Sequence, residues 1–235
     1  MHRPSIVFAL TGAALAAAQG FSSECTDISL NDYWLVATCP TGSGEEITSS
    51  VFLAHKISNN NGNLEWTEDG EYGQSCEDCT LDGASLNCGC IINSRPSLQD
   101  TTLNLEEHIA NYEGHLLSNQ TGAITTIPAN SDIPVPSDFA VQLRVSTLNN
   151  TCENSGGTLS LNNPTDCFYL NIGVDIIWLA GISSTNEGWE IVAFEDQECT
   201  GDPVYTFTEE NDDECAFFVP GARAFSVTPL WNADY

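Results

Sequence analysis

The sequence has very few basic residues: 5 Lys and Arg stand against 33 Asp and Glu, which gives a formal net charge of -28. A protein that binds nucleic acid or an anionic membrane surface needs a basic patch to match the phosphates, and this sequence has none. We therefore expect no nucleic-acid partner, and the same repulsion disfavours sulfated or sialylated glycans. The acidity itself is interpreted as a solubilising surface charge.

Long hydrophobic runs are also absent beyond the first residues. The apolar stretch 6–18 follows the basic start His2-Arg3 and ends in Ala16-Ala17-Ala18. It is shorter than the roughly 20 residues that a transmembrane helix needs, and its pattern is typical of a secretory signal peptide. We therefore predict a signal peptide at residues 1–18, no membrane insertion, and a secreted, extracellular protein.

Catalytic and metal-binding motifs are missing as well. The sequence contains no His-Glu-x-x-His, no Gly-x-Ser-x-Gly and no phosphate-binding glycine loop, and it has only 4 histidines. His108 stands beside Glu106 and Glu107, and we interpret it as a surface residue rather than a general base. We predict that the protein is not an enzyme and that it uses no cofactor and no metal ion.

Cysteine, by contrast, is abundant: the 10 cysteines are an even number, and none has a zinc-type spacing with histidine. In an exported chain this pattern favours disulfides. The spacings predict the pairs Cys25–Cys39, Cys76–Cys90, Cys79–Cys88, Cys152–Cys167 and Cys199–Cys215. Two sequons, which begin at Asn119 and Asn149, are candidate N-glycosylation sites.

The first part of the sequence repeats itself. When the sequence is compared with itself at a shift of 51 residues, two pairs of cysteines align. After a one-residue insertion, a shift of 52 residues aligns two turns that each contain an asparagine and a glycine. The aligned positions include Cys25 with Cys76, Cys39 with Cys90, Asn59 with Asn111 and Gly62 with Gly114. Two repeats are too few for a solenoid, so we predict one domain with two similar halves.

Each half has the pattern of β-structure. Asp82-Gly83 stands between apolar positions, as in a hairpin turn, and Asn31-Asp32 takes the same place in the first half. Apolar and polar residues then alternate, which predicts a half-buried strand in each half. We predict a helical turn after each of these strands, Leu53 to Ile57 and Leu105 to Ile109.

Four stretches between residues 21 and 118 carry a family resemblance: residues 21–25, 48–53, 59–66 and 103–111. Together they resemble the cyanovirin-N homology (CVNH) domain. The resemblance implies an all-β fold of two pseudo-symmetric halves that exchange strands, with a carbohydrate site at each end. It also implies a mannose-recognising lectin domain at residues 21–120, without catalysis or metal, whose partners are neutral glycans of the high-mannose type.

The resemblance further implies which residues form the two sugar sites. One site comprises Ser23, Glu24, Gly42, Asn111 and Glu113. The other comprises Ser58, Asn59, Asn61, Glu71, Gln74, Ser75, Asn93 and Arg95. Sugar hydroxyls both donate and accept hydrogen bonds, so amides, carboxylates and an Arg fork at rigid turns suit them. The competing interpretation is that the Asn-rich turns serve only the backbone.

The rest of the sequence predicts a second β domain. Residues 121–137 are rich in proline and predict an extended, semi-rigid linker. Short apolar runs then alternate with turn residues, which predicts a disulfide-bonded β-sandwich with Greek-key halves at residues 138–235. Residues 189–229, with Phe194, Gly201, Tyr205-Thr206 and Phe225-Ser226, resemble the βγ-crystallin motif. We interpret the acidic run 211–214 as a solvated face rather than a calcium site.

The resulting hypothesis is a secreted lectin, and two alternatives stay open. Pro40 and Ile91-Ile92 stand where the family has polar groups, which fits a structural or interaction protein with degenerate sugar sites. The many carboxylates would also suit a glycoside hydrolase, which would release reducing ends from oligomannose. The sequence leaves the oligomeric state open.

Overall fold

The computed structural model describes residues 20–93, 95–119, 123–146, 157–169, 171–172, 175–176, 179–185, 187–211 and 216–235. The predicted signal peptide, Asn149, Cys152, Cys215 and residues 212–214 lie outside these ranges. The described residues form β-strands with very little helix, which confirms the all-β prediction. None of their helices is long and apolar enough to cross a membrane.

The N-terminal half begins with a single helical turn and continues in short strands. These elements are α1 (Phe21–Glu24), β1 (Thr26–Asn31), β2 (Trp34–Pro40), β3 (Glu46–Phe52), β4 (Ile57–Asn60), β5 (Asn63–Trp66), β6 (Cys76–Asp82), β7 (Ser85–Ile92), β8 (Arg95–Asn104), β9 (Ile109–Tyr112) and β10 (His115–Ser118). Short 3-10 helices at Tyr72–Gln74 and Leu105–Glu107 precede β6 and β9. The second predicted helical turn is therefore present, whereas residues 54–56 form only a turn before β4.

The sequence repeat gives two antiparallel three-stranded units, β1-β2-β3 and β6-β7-β8. Both contain the predicted hairpin, and its turn residues Asp32 and Gly83 have positive φ angles of 51° and 60°. The predicted disulfides Cys25–Cys39, Cys76–Cys90 and Cys79–Cys88 are confirmed, and each closes one hairpin. Covalent closure of these loops restricts the unfolded chain, which stabilises the hairpins.

The two halves exchange their short hairpins, as the resemblance implies. The β4–β5 hairpin packs on β8 of the second half, and β10 of the β9–β10 hairpin packs on β3 of the first. Their turns contain Gly62 and Gly114, whose φ angles are 93° and 95°. A Cβ on either glycine would lie 2.9 Å from Ile92 or Ile47 of the other half. Positive φ and close approach together require glycine at both places.

The C-terminal half contains two four-stranded antiparallel sheets, β12-β11-β16-β19 and β13-β20-β17-β18. Its strands are β11 (Val141–Ser146), β12 (Gly157–Leu161), β13 (Thr165–Tyr169), β14 (Asn171–Ile172), β15 (Asp175–Ile176), β16 (Leu179–Thr185), β17 (Trp189–Phe194), β18 (Pro203–Phe207), β19 (Ala216–Ala222), β20 (Ala224–Pro229) and β21 (Ala233–Asp234). A 3-10 helix, Glu209–Asn211, lies between β18 and β19. Buried side chains from both sheets share one core, as in a β-sandwich, but the described strands show no clear Greek-key order.

The predicted pairing of the C-terminal cysteines is wrong. Cys167 forms its disulfide with Cys199, so neither Cys152–Cys167 nor Cys199–Cys215 is present. Cys167 lies on β13 and Cys199 follows β17, and only β20 separates these two strands in the sheet. Strand order, which the spacing of cysteines does not reveal, decides which sulfur atoms meet.

A hydrophobic core joins the two domains. Trp34 and Phe52, from β2 and β3, pack in one cluster with Phe139, Trp189 and Trp231 of the C-terminal half. The rings of Trp34 and Phe139 stack with centroids 5.0 Å apart. Strand β2 is thereby buried on both faces, because its other face packs into the core of the N-terminal domain.

The predicted linker and the end of the chain both lie against the N-terminal domain. Residues 123–140 have no helix or strand, yet Ile133 and Val135 pack on the shared core. The final strand, β21, pairs in parallel with β3, so the last residues complete the sheet β1-β2-β3. Ser50 on β3 donates its N–H to the carbonyl of Asn232 at 2.9 Å and accepts a hydrogen bond from Trp231 Nε1 at 2.9 Å.

Candidate functional site

The structure places residues from the two predicted sugar sites in hollows at opposite ends of β2. The first, which we call the β6 hollow, has a volume of about 510 Å³ and lies between the β1–β2 turn and the start of β6. Its lining includes Asp32, Tyr33, Gln74, Ser75 and Ile91. Of the residues predicted for this sugar site, Gln74 and Ser75 line the β6 hollow.

The second, which we call the β3 hollow, has a volume of about 440 Å³ and lies beside the β2–β3 turn. Its lining includes the predicted residues Gly42 and Glu113, together with His115. Because β2 runs between the two hollows and is seven residues long, the hollows are separated by roughly 20 Å.

The side chain of Asn59 is committed to the backbone of its own domain. Its Nδ2 donates to the carbonyl of Ile91 at 2.9 Å and to Ser75 Oγ at 3.0 Å. Its Oδ1 accepts the N–H of Gly62 at 2.6 Å. These bonds attach the β4–β5 hairpin to the second half of the domain, and they leave the Asn59 amide little capacity for a ligand.

Asn111 repeats this arrangement in the other half. Its Nδ2 donates to the carbonyl of Pro40 at 3.1 Å and to Glu24 Oε2 at 3.0 Å, and its Oδ1 accepts the N–H of Gly114 at 2.8 Å. The repeat thus duplicates a hydrogen-bond network as well as the strands. For these two asparagines, the interpretation that Asn-rich turns serve the backbone is the one that the geometry favours.

Replacing Asn59 with alanine is expected to lower the free energy of unfolding by about 1–3 kcal/mol, because the Gly62 N–H and the Ile91 carbonyl lose their partner. The neighbouring Asn60→Ala is the matched control. Asn60 is exposed and its amide bonds only surface groups, so the loss is expected to stay within about 0.5 kcal/mol. Urea unfolding of the three proteins measures both values, and equal losses would contradict this role of Asn59.

Other predicted residues keep groups available at the surface. Asn61 Oδ1 accepts the N–H of Asn93 at 3.1 Å, so the two turns that carry these exposed side chains are joined. Gln74 Nε2 donates to Glu71 Oε2 at 2.7 Å, within the 3-10 helix segment. Ser58 is half-buried on β4.

Two other predicted residues contribute no described side-chain group to the hollows. Ser23 is exposed, and its hydroxyl bonds the carbonyl of Gly20 at 3.0 Å rather than facing the β3 hollow. Arg95 begins β8, but its side chain lies outside the described residues.

Residues 21–117 match the model of the CVNH domain. This part of the chain is a CVNH domain.

Several solved CVNH structures are similar to the chain over that region. The NMR structure of the CVNH protein of Gibberella zeae is 28% identical and covers 42% of this chain and 95% of its own, with a TM-score of 0.38. The complex of microvirin with mannobiose is 26% identical, covers 42% and 96%, and has a TM-score of 0.38. A MoCVNH3 variant in complex with (N-GlcNAc)4 is 23% identical, covers 43% and 97%, and has a TM-score of 0.40.

Sequence reasoning missed the residues that reach the CVNH domain from outside it. Ile127, Pro128 and Asn130 of the predicted linker line the β3 hollow. Asn162 and Asn163 of the second domain line a smaller hollow next to the β6 hollow. No sequence signal marks them, because an Asn-Asn-Pro stretch is a turn pattern wherever it occurs.

The charges around the CVNH domain favour neutral ligands. Asp32, Glu77 and Asp78 line the β6 hollow, and no Lys or Arg is among its described lining residues. Beside it, burial lowers the pKa of His55, and the charge of Lys56 lowers it further. The lowered pKa favours the neutral form of the His55 ring. Anionic ligands therefore meet repulsion from these carboxylates, which no lysine or arginine among the described lining residues of the β6 hollow offsets.

Proposed function

We propose that the protein is a lectin that binds neutral, mannose-type glycans through its CVNH domain, without catalysis. The observation that carries the proposal is the Glu71–Gln74 pair, in which Gln74 lines the β6 hollow. The pair is held rigid by the fold, and it still has hydrogen-bonding capacity left for a ligand.

The rigidity comes from the segment between the two side chains. Tyr72 is fully buried and fixes the 3-10 helix against the core of the CVNH domain. The N–H of Gln74 donates to the carbonyl of Glu71 at 3.1 Å, and the side chains bond each other at 2.7 Å. A pre-ordered amide and carboxylate lose little conformational entropy when a ligand binds.

The remaining capacity suits sugar hydroxyls. Among the described residues, none donates a hydrogen bond to Gln74 Oε1 or to Glu71 Oε1. Each oxygen can therefore accept one hydroxyl proton, and two adjacent acceptors match two vicinal hydroxyls of a sugar ring.

The test is calorimetry of the full mature chain with mannobiose and with a GlcNAc tetramer. We expect saturable binding of mannobiose, and Gln74→Ala should weaken it about 5-fold, because a neutral hydrogen bond contributes about 1 kcal/mol. Gln142→Ala, an exposed glutamine of the second domain, is the matched control and should leave binding unchanged.

Three outcomes would contradict the proposal. Tighter binding of the GlcNAc tetramer than of mannobiose would reject the mannose preference. Release of reducing ends from oligomannose would support the hydrolase alternative. A protein that binds no neutral glycan would support the alternative of a structural protein with degenerate sites, which the 44% exposed Ile91 at the β6 hollow also fits.

We also propose that the protein is secreted and N-glycosylated. The signal-peptide pattern of residues 1–18 supports secretion, and so do the disulfides, since these persist in oxidising compartments. Asn119 is exposed just after β10, which suits a glycan attachment site. Mass spectrometry of the protein from culture medium tests both proposals through its N-terminal residue and the mass at Asn119.

A further inference from the structure

The two domains together line an open hollow that the CVNH domain alone does not complete. This junction hollow has a volume of about 200 Å³. Its lining includes Tyr33, His55, Glu71 and Gln74 from the CVNH domain and Asn162 and Asn163 from the second domain. Clefts between domains are frequent sites of small-molecule binding.

We propose that the junction hollow is a subsite for an additional neutral sugar residue of a glycan held at the β6 hollow. This inference rests on the function proposed above. Tyr33, Gly73 and Gln74 line both hollows, so the two lie side by side. A glycan bound beside Gln74 therefore extends directly towards Asn162 and Asn163.

The lining combines an apolar wall with fixed acceptors, as sugar sites require. Tyr33, Phe52 and Ala54 provide the apolar wall. The Asn162 amide nitrogen donates to Asp32 Oδ2 at 3.3 Å, and that of Asn163 donates to Thr165 Oγ1 at 3.1 Å. These bonds point each amide in one direction.

The oxygens of the same two amides remain available. Within the part of the chain that the structure describes, no group donates to the Oδ1 atom of Asn162 or of Asn163. The His55 ring and Glu71 of the CVNH domain line the same hollow. Hydroxyl groups of one sugar ring would thus meet acceptors contributed by both domains.

The wall from the second domain is held firmly against the CVNH domain. The indole nitrogen of Trp34 donates to the carbonyl of Asn162 at 2.9 Å, and Trp34 itself is fully buried. Pro164, directly after the two asparagines, is also buried. The hollow is therefore formed before a ligand arrives, which reduces the entropic cost of binding.

The size of the hollow sets the size of its ligand. Pockets for drug-sized molecules hold about 300–1,000 Å³, and the junction hollow is smaller than that. It suits one sugar ring rather than a second disaccharide. The subsite should consequently increase the affinity for longer glycans and leave the affinity for a disaccharide unchanged.

The test compares mannobiose with mannotriose by calorimetry on the full chain. We expect mannotriose to bind about 10-fold more tightly than mannobiose. Asn163→Ala should abolish this gain and leave the mannobiose affinity unchanged. Asn163→Asp keeps an acceptor oxygen at the same place and should retain the gain, which also shows that position 163 tolerates substitution. Gln142→Ala, outside all three hollows, is the control.

Two results would overturn the inference in different ways. If mannobiose binds but mannotriose gains nothing, or if the gain survives Asn163→Ala in a folded protein, the junction subsite is rejected and the proposed function stands. If neither sugar binds the wild-type chain, the proposed function fails and the subsite is rejected with it. Circular dichroism of each variant verifies that it is folded.

Discussion

Trp34→Ala is expected to lower the free energy of unfolding by about 3–5 kcal/mol, as the loss of a large buried aromatic ring generally does. Trp34 lies at the centre of the core that joins the two domains. Its ring centroid is 5.0 Å from that of Phe139, 6.0 Å from that of Trp189 and 5.5 Å from that of Trp231. Removing the ring leaves a cavity between the domains.

The same substitution should also uncouple the two domains. In the wild-type chain the shared core makes each domain depend on the other, so we expect one cooperative unfolding transition. In Trp34→Ala the lost contacts and the lost bond to Asn162 should separate it into two. Denaturant unfolding followed in parallel by tryptophan fluorescence and far-ultraviolet circular dichroism distinguishes the two cases, because the probes coincide only in a two-state transition.

Trp66→Ala is the matched control, since Trp66 belongs to the CVNH domain but not to the junction. Its ring is partly buried and stacks on His108 at 4.6 Å. We expect a smaller loss of stability and a single transition. Equal losses in the two variants, or a Trp34→Ala loss below about 1 kcal/mol, would show that the junction core does not couple the domains.

Local features of the fold could be predicted from the sequence. The hairpin turns and the three disulfides of the CVNH domain depend on residues that are close along the chain. Cys25 and Cys39, for example, are only 14 positions apart, and the strands β1 and β2 that pair with each other bring them together. Interactions of this kind leave a direct signal in spacing and turn chemistry.

Features that depend on distant residues were predicted less well. Alternation suggested a half-buried strand around Val51, but Ser49, Ser50 and Phe52 are buried as well. Trp231 bonds Ser50 on the other face of β3, and β21 pairs with the edge of β3. Both follow more than 180 positions later in the chain. The periodicity of a strand depends only on its own residues, so it could not indicate these contacts with distant residues.

The residues of the candidate site also divide into those that could be predicted from the sequence and those that depend on distant partners. Of the residues that the resemblance implied, Gln74, Ser75, Gly42 and Glu113 line hollows, and the CVNH fold alone brings them there. The resemblance could not separate Asn59, whose amide is used by the backbone, from ligand-binding groups. That distinction requires partners 16 and 32 positions away. The sequence could not indicate that residues of the second domain line the site, because only the packing of the two domains brings them there.

Asp234→Ala is expected to lower the free energy of unfolding by about 3–5 kcal/mol, because it leaves a buried cation without its partner. Asp234 Oδ1 lies 3.1 Å from Lys56 Nζ, and the side chains are only 19% and 6% exposed. Its other oxygen accepts the N–H of Ser118 at 2.6 Å. One carboxylate near the end of the chain thus joins β21 to two parts of the CVNH domain.

A second substitution separates the charge from the hydrogen bond. The double variant Lys56→Met with Asp234→Asn removes both charges and keeps an acceptor for the Ser118 N–H. It should recover most of the stability that Asp234→Ala loses, since replacing a buried ion pair by groups of similar size is often nearly neutral. Asp202→Ala, at an exposed position of the second domain, controls for the loss of an acidic side chain.

Urea unfolding of these four proteins measures the differences. A loss below about 1 kcal/mol for Asp234→Ala would mean that Lys56 reaches water without its partner. A double variant as unstable as Asp234→Ala would mean that the ion pair itself, rather than the cost of an unpaired charge, holds β21 in place. Under the expected result, the carboxylate at the end of the second domain is part of what keeps the CVNH domain folded. The junction hollow then depends on the last residues of the chain as well as on its own lining.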